Sequence, residues 1–167
     1  VVVDEAYFEY SGYSLVHKIK QWENLIVIRT FSKWAGLAGL RIGYMIADKR
    51  IADVVNHAKY PSSVNAIAQE YAVYALDLRE ELLKKVHRLV LNRDYFVKKM
   101  TEFKEFKVFS GFGLFVTIQI TNIKNNELRN FMKQKGILVR SIHPVGLENA
   151  IRIDLTSKKI SIKYIKL

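Results

Sequence analysis

Three short, largely apolar runs most constrain what this chain can fold into: residues 1–4, opening on VVV, LIVIRT at 25–30 and IGYMIA at 42–47. They are continuous rather than alternating and rich in β-branched residues, the pattern of strands covered on both faces. Longer polar segments separate them. That arrangement predicts an α/β layer architecture built on a mixed, mostly parallel sheet. Half of the 167 residues are hydrophobic, enough for a sizeable core. No stretch approaches eighteen uninterrupted apolar residues, so no membrane-spanning helix and no membrane partner are expected. The chain has no cysteine, which excludes disulfides, thiolate nucleophiles and thiolate metal sites. His17, His57, His87 and His143 form no HxxxH or HExxH pattern, and no metal is expected.

Helix signals fill the spaces between the runs. Asp48 is placed to cap a helix ending near His57, and Tyr60-Pro61 breaks that element. Ser62 or Ser63 is then expected to cap a helix over roughly 65–76. Asp77 is expected to open the longest helix, DLREELLKKVHRLVLNRDYFVKKMTEF. In it Leu78, Leu82, Val86, Leu89, Phe96, Met100 and Phe103 recur at three- and four-residue intervals and predict one buried stripe. Strands are expected at 106–109 and 114–120 around the turn SGFG. A helix over 125–135 follows, closed by Gly136 in a left-handed conformation. ILVRSI and AIRIDL read as further strands, and SIKYIKL is strand-like. The change of texture places a domain boundary near 76–80, with residues 1–77 in one part and 78–167 in the other.

Lysine and arginine number 27 against 16 acidic residues, a net charge of +11. The cations are scattered rather than gathered in a stripe among aromatics, so the surface suits small anions and no nucleic-acid partner is expected. Asp4 and Glu5 end the first run, and strand ends are where open α/β sheets place ligands. Tyr7 is open between packing and a phenol aimed at the same pocket. Lys33 follows the second run within RTFSKWAGLAGLRIGY. Its small and apolar neighbours predict a desolvated amine, which desolvation would make a better nucleophile toward a carbonyl. The alternative is a lysine snorkelling at the surface. Thr30 and Arg41 flank it, and a hydroxyl with a guanidinium suits a phosphate. Gly36 and Gly39 allow close approach of a bulky ligand. His143-Pro144 is open between a cleft wall and a surface turn.

The block TFSK…GLAGLRIGY, set behind DEAY and followed by GILVRSI and AIRI, resembles the fold-type-I, pyridoxal-phosphate-dependent aminotransferases of class I/II. The pattern is nearest to the histidinol-phosphate aminotransferases. The resemblance implies a three-layer α/β/α large domain, present in part, joined to a small α+β C-terminal domain. It implies that Lys33 links covalently to the aldehyde of pyridoxal 5′-phosphate and later shuttles a proton. Asp4 is similar to the acid that pairs with the pyridine nitrogen, and Tyr7 to the phenol bonded to the ring oxygen. Thr30 and Arg41 resemble phosphate ligands, with Ser32 assisting. Arg152 resembles the arginine that grips the anionic end of the substrate.

The implied reaction moves an amino group between an amino acid and a 2-oxo acid or a phosphorylated keto compound, in a cytoplasmic homodimer. Two alternatives stay open: a decarboxylase of the same fold resembling threonine-phosphate decarboxylase, and a non-enzymatic basic binding module. The opening VVVDEAYFEY lacks the glycine-containing phosphate turn, stacking aromatic and asparagine that such enzymes carry upstream. The expectation is therefore an upstream half, without which these residues do not catalyse. Gly113 in SGFGLFVTI and the segment IRIDLTS also depart from the family pattern.

Overall fold

The computed structural model describes residues 1–120, 123–142, 147 and 149–155. The chain divides into two compact units, Val1–Val86 and His87–Leu167. The division falls inside the longest helix rather than at its start.

In the first unit the apolar runs become β1 (Val2–Asp4), β2 (Ile26–Thr30) and β3 (Gly43–Ala47), in the order β1-β2-β3. β1 runs parallel to β2, with Asp4 opposite Ile28, and β3 is antiparallel to β2, with Gly43 opposite Thr30. The sheet is mixed. Leu25, Val27, Phe31 and Trp34 are buried, and Val27 at the sheet's centre is fully so. Gly43 is required by that pairing: a Cβ there would meet the Arg29 carbonyl oxygen at 2.6 Å. A short helix, α1 (Phe8–Ser11), follows β1 and ends on Gly12 at a φ of 72°.

Helix α2 (Lys49–Ala58) starts as expected, with the Asp48 side chain accepting from the Arg50 amide. Helix α3 (Ala66–Asp77) is capped by Asn65, whose side chain accepts from the Ala68 amide at 2.8 Å, and not by Ser62 or Ser63. The Asn65 oxygen lies at the spacing that reaches the third amide of the helix, where the serines are too far upstream. Ala68, Ala72 and Ala75 form the buried face of α3. Asp77 closes α3 instead of opening the next helix, and α4 is Arg79–Met100. Within the stripe predicted for α4, Val86, Phe96 and Met100 are buried, but Phe103 lies beyond the helix end and is 40% exposed.

The second unit holds β4 (Phe106–Ser110), β5 (Phe115–Ile120), α5 (Asn125–Gln134), β6 (Arg140–Ile142) and β7 (Ala150–Asp154). Its sheet is antiparallel throughout, in the order β4-β5-β7-β6. β6 takes only the end of ILVRSI. One face carries Val116, Ile118, Ile120, Ile151 and Ile153 into a core with Phe96 and Met100 of α4 and Leu128 and Met132 of α5. Gly136, at a φ of 73°, ends α5 as its sequence position predicts. The Gly136 amide donates to the Lys133 carbonyl and the Ile137 amide to that of Met132, the paired bonds of a left-handed helix stop. His143-Pro144 and SIKYIKL lie outside the described residues.

Candidate active site

Four segments of the first unit converge on one sheet end: the residues after β1, the end of β2, the turn 31–42 and the start of β3. Asp4 is exposed at the end of β1, and its Oδ1 accepts from the Ala6 amide at 2.8 Å. That bond turns the chain into the segment carrying Tyr7. At the end of β2, Thr30 Oγ1 accepts from the Ser32 amide at 3.0 Å, lies 2.9 Å from Ser32 Oγ and donates to the Ile42 carbonyl at 3.2 Å. The Phe31 amide donates to the same carbonyl. This knot ties Thr30 and Ser32 to the residue after Arg41.

Lys33 sits on the turn between them, with its Nζ 5.4 Å from the centre of the Tyr7 ring. The structure thus brings Tyr7 to Lys33 and Thr30 to Ser32. The desolvated setting expected for Lys33 is not found, because the side chain is exposed. Its apolar neighbours are adjacent in sequence but turn inward: Phe31 and Trp34 are buried, with ring centroids 5.6 Å apart. The turn therefore directs Lys33 outward while Phe31 and Trp34 face the interior. Gly36, at a φ of 73°, closes this turn, and a Cβ at Gly36 or Gly39 would meet nothing within 4 Å.

Arg41 is held in the left-handed region at a φ of 53°, and its Nη1 donates to the Ala38 carbonyl at 2.9 Å. A bulky non-glycine residue in that region is strained, and such strain concentrates at functional sites. Its exposed guanidinium is fixed from behind by its own turn. Lys33, Thr30, Ser32, Arg41, Tyr7 and Asp4 together offer an amine, two hydroxyls, a guanidinium, a phenol and a carboxylate. That donor set matches a phosphorylated aromatic aldehyde: cation and hydroxyls for the phosphate, carboxylate for a ring nitrogen, phenol for a ring oxygen, amine for the aldehyde.

A second layer, read in the sequence only as the acid beside Asp4, holds these segments. Glu5 is buried and ion-paired with Arg29, whose Nε and Nη2 donate to Glu5 Oε2 at 3.1 and 2.9 Å. Ser14 Oγ donates to the same oxygen at 2.9 Å, and the Leu15 amide donates to Oε1 at 2.7 Å. The Arg29 guanidinium lies 3.6 Å from the centre of the Phe8 ring. Glu5 thus closes the loop that carries Tyr7, and Arg29 pins it beside Thr30. Nearby, burial pushes the Glu9 carboxyl above its ordinary value. The hydrogen bond from its own backbone and the charges of Arg29 and Arg79 oppose the shift. Burial likewise raises the Tyr10 phenol to about 12.

Arg152 belongs to the second unit. Its guanidinium lies 4.1 Å from the centre of the Phe115 ring and donates from Nε and Nη2 to Asp154 Oδ1 at 3.2 and 2.6 Å. In register, Arg152 stands opposite Thr117 on one side and Arg140 on the other. Arg140 carries no role in the sequence reading, although its place in GILVRSI put it on a strand. Only the register shows it beside Arg152. Arg93, buried on α4, was also missed: its Nη1 donates to the carbonyls of Phe112 and Gly113 at 2.9 and 3.2 Å and so holds the turn before β5.

The sequence profile of the family described as aminotransferase class I and II matches residues 1–164. The chain belongs to that family. A histidinol-phosphate aminotransferase of Dehalococcoides mccartyi is 36% identical over 154 residues, covering 92% of this chain and 43% of that protein. The crystal structure of the histidinol-phosphate aminotransferase from Clostridium acetobutylicum superposes with a TM-score of 0.88 at 25% identity, over 99% of this chain and 52% of that one. The L-threonine-O-3-phosphate decarboxylase of Porphyromonas gingivalis shares the fold, with a TM-score of 0.84 at 24% identity over 99% of this chain and 52% of that one. The chain spans about half the length of these relatives. Among the described residues no helix is long and apolar enough to cross a membrane.

Proposed function

We propose that the protein carrying this chain is a pyridoxal-phosphate-dependent aminotransferase acting on histidinol phosphate, with a 2-oxo acid as its amino acceptor. The observation that carries the reading is the setting of Lys33: an exposed amine beside the Tyr7 ring, on a turn tied by Thr30 and Ser32 to the strained Arg41. Lys33 would hold the cofactor aldehyde, Asp4 its pyridine nitrogen and Tyr7 its ring oxygen. Thr30, Ser32 and Arg41 would hold its phosphate. When bound, pyridoxal phosphate supplies an electron sink for the bonds at the substrate's Cα.

The chain's own residues do the rest. The Lys33 amine takes the proton from Cα as general base. Arg152 binds the anionic end of the substrate and so orients it. Arg140, directly opposite Arg152 in the sheet, adds a second positive charge, which favours a dianionic phosphate over a single carboxylate. The reading includes a homodimer and a cytoplasmic location.

A decarboxylase of this fold would employ the same amine and carboxylate, and the fold does not separate the two. The sequence relative favours amino transfer. The test is spectroscopic: the intact protein is loaded with pyridoxal phosphate and mixed with histidinol phosphate alone. Aminotransfer predicts stoichiometric conversion of the cofactor to its pyridoxamine form. Retention of the aldehyde form with histidinol phosphate, and release of carbon dioxide when a phosphorylated amino acid is supplied in its place, would overturn the reading in favour of the decarboxylase.

A further inference from the structure

Asp154, ion-paired with Arg152, is a feature of the second unit to which the proposed reaction gives no role. The two residues are separated by one position on β7 and so project from the same face of the sheet. Both Nε and Nη2 of Arg152 end on one oxygen, Oδ1, of Asp154. The Nε/Nη2 edge is one of the two edges through which a guanidinium grips a carboxylate or phosphate with two parallel bonds. Asp154 therefore occupies one of the two edges through which Arg152 can hold an anion with two bonds. The Phe115 ring covers one face of the guanidinium at 4.1 Å, and the two side chains of the pair are 25% and 56% exposed.

We infer that Asp154 is an internal counter-ion on the Nε/Nη2 edge of Arg152, which an incoming anionic substrate displaces when it takes that edge. The inference rests on the reading of Arg152 as the residue that grips the substrate's anionic end. Asp154 then sets specificity by raising the affinity an anion needs. A ligand that makes two good bonds to the freed edge replaces the carboxylate, whereas one offering a single weak contact does not. The displacement is inexpensive. A pair in which the acid is more than half exposed is worth little, and its loss corresponds to at most about fivefold in binding. The guanidinium is not left unsupported, because the Phe115 ring still lies against it. A carboxylate that merely oriented Arg152 predicts the opposite sign, since removing it would loosen the guanidinium and weaken binding.

The test uses the intact holoenzyme and the substitutions Asp154→Asn and Asp154→Ala, both at an exposed position where folding is not at stake. KM for histidinol phosphate and the inhibition constant of inorganic phosphate against it are measured alongside kcat. The inference predicts that both constants fall about two- to fivefold in each variant, with kcat unchanged or lower. A rise in both, or no change, overturns it. Arg152→Lys is the control: the reading of Arg152 predicts a rise in KM of tenfold or more, since a lysine cannot form the two-bond fork. If Arg152→Lys leaves KM unchanged, the reading of Arg152 has failed and the inference falls with it. If Arg152→Lys raises KM while the Asp154 variants do not lower it, only the inference has failed.

Discussion

Replacing Arg29 by methionine leaves the Glu5 carboxylate buried beside an apolar side chain. The two side chains are 12% and 6% exposed, so solvent cannot compensate. Breaking a buried ion pair by removing one partner costs about 3–5 kcal/mol. The geometry places this case at the lower end, near 3 kcal/mol. Glu5 keeps the Ser14 hydroxyl at 2.9 Å on Oε2 and the Leu15 amide at 2.7 Å on Oε1, so it is not wholly orphaned. Glu5→Gln is the complementary change, leaving the Arg29 cation against the Phe8 ring and Ser14 Oγ. Because the two side chains share one network, the double variant should lose less than the sum of the singles, by about 1–3 kcal/mol. The assay is urea unfolding of the intact protein for wild type, both singles and the double. Single losses under about 1 kcal/mol, or a coupling under about 0.5 kcal/mol, would refute the claim that this pair locks the Tyr7 loop to β2.

Three further outcomes are expected. Gly43→Ala places a Cβ 2.6 Å from the Arg29 carbonyl oxygen, a backbone atom that cannot swing aside, and should destabilise by about 1–3 kcal/mol; an unchanged urea midpoint contradicts the close approach. Asn65→Ala removes the cap of α3 and should cost about 1 kcal/mol, whereas Ser63→Ala should cost almost nothing; the reverse ranking contradicts the assignment. Glu9, raised by burial above its ordinary value of 4.5, keeps its proton in the folded state where the unfolded chain has released it. Stability should therefore fall as pH rises from about 4.5 through the folded value, and Glu9→Gln should flatten that slope in a pH series of unfolding curves.

The strands of the first unit were legible because continuous β-branched runs have few alternatives in a chain of this length. The Asp48 cap and the Gly136 stop were legible because each depends on one residue in a local conformation. Asn65 was hidden by two serines that read equally well as caps, and Asp77 by a helix break with no proline or glycine to mark it. The site divides in the same way. The candidate residues Thr30, Lys33 and Arg41 lie in one continuous block and stand out by type and spacing, whereas Ser32 entered only through the resemblance. Which of them touch could not be read, because that depends on how the turn 31–42 folds back through the Ile42 carbonyl. Between the two settings open for Lys33, a desolvated amine or a surface lysine, the structure shows the exposed one, because the turn separates sequence neighbours from spatial ones. The Glu5–Arg29 lock joins residues 24 apart across two strands, and only the parallel register of β1 and β2 brings them together. Arg93 sits on a helix rich in lysine and arginine, where nothing in the pattern distinguishes a buried cation from a solvated one.

The most direct measurement is borohydride reduction of the intact protein in the presence of pyridoxal phosphate, followed by intact mass and peptide mapping. One reduced cofactor per chain, on the peptide carrying Lys33 and absent from the Lys33→Ala variant, is the predicted result. No adduct, or an adduct on another lysine that persists in Lys33→Ala, would contradict the assignment of Lys33 as the residue that holds the cofactor.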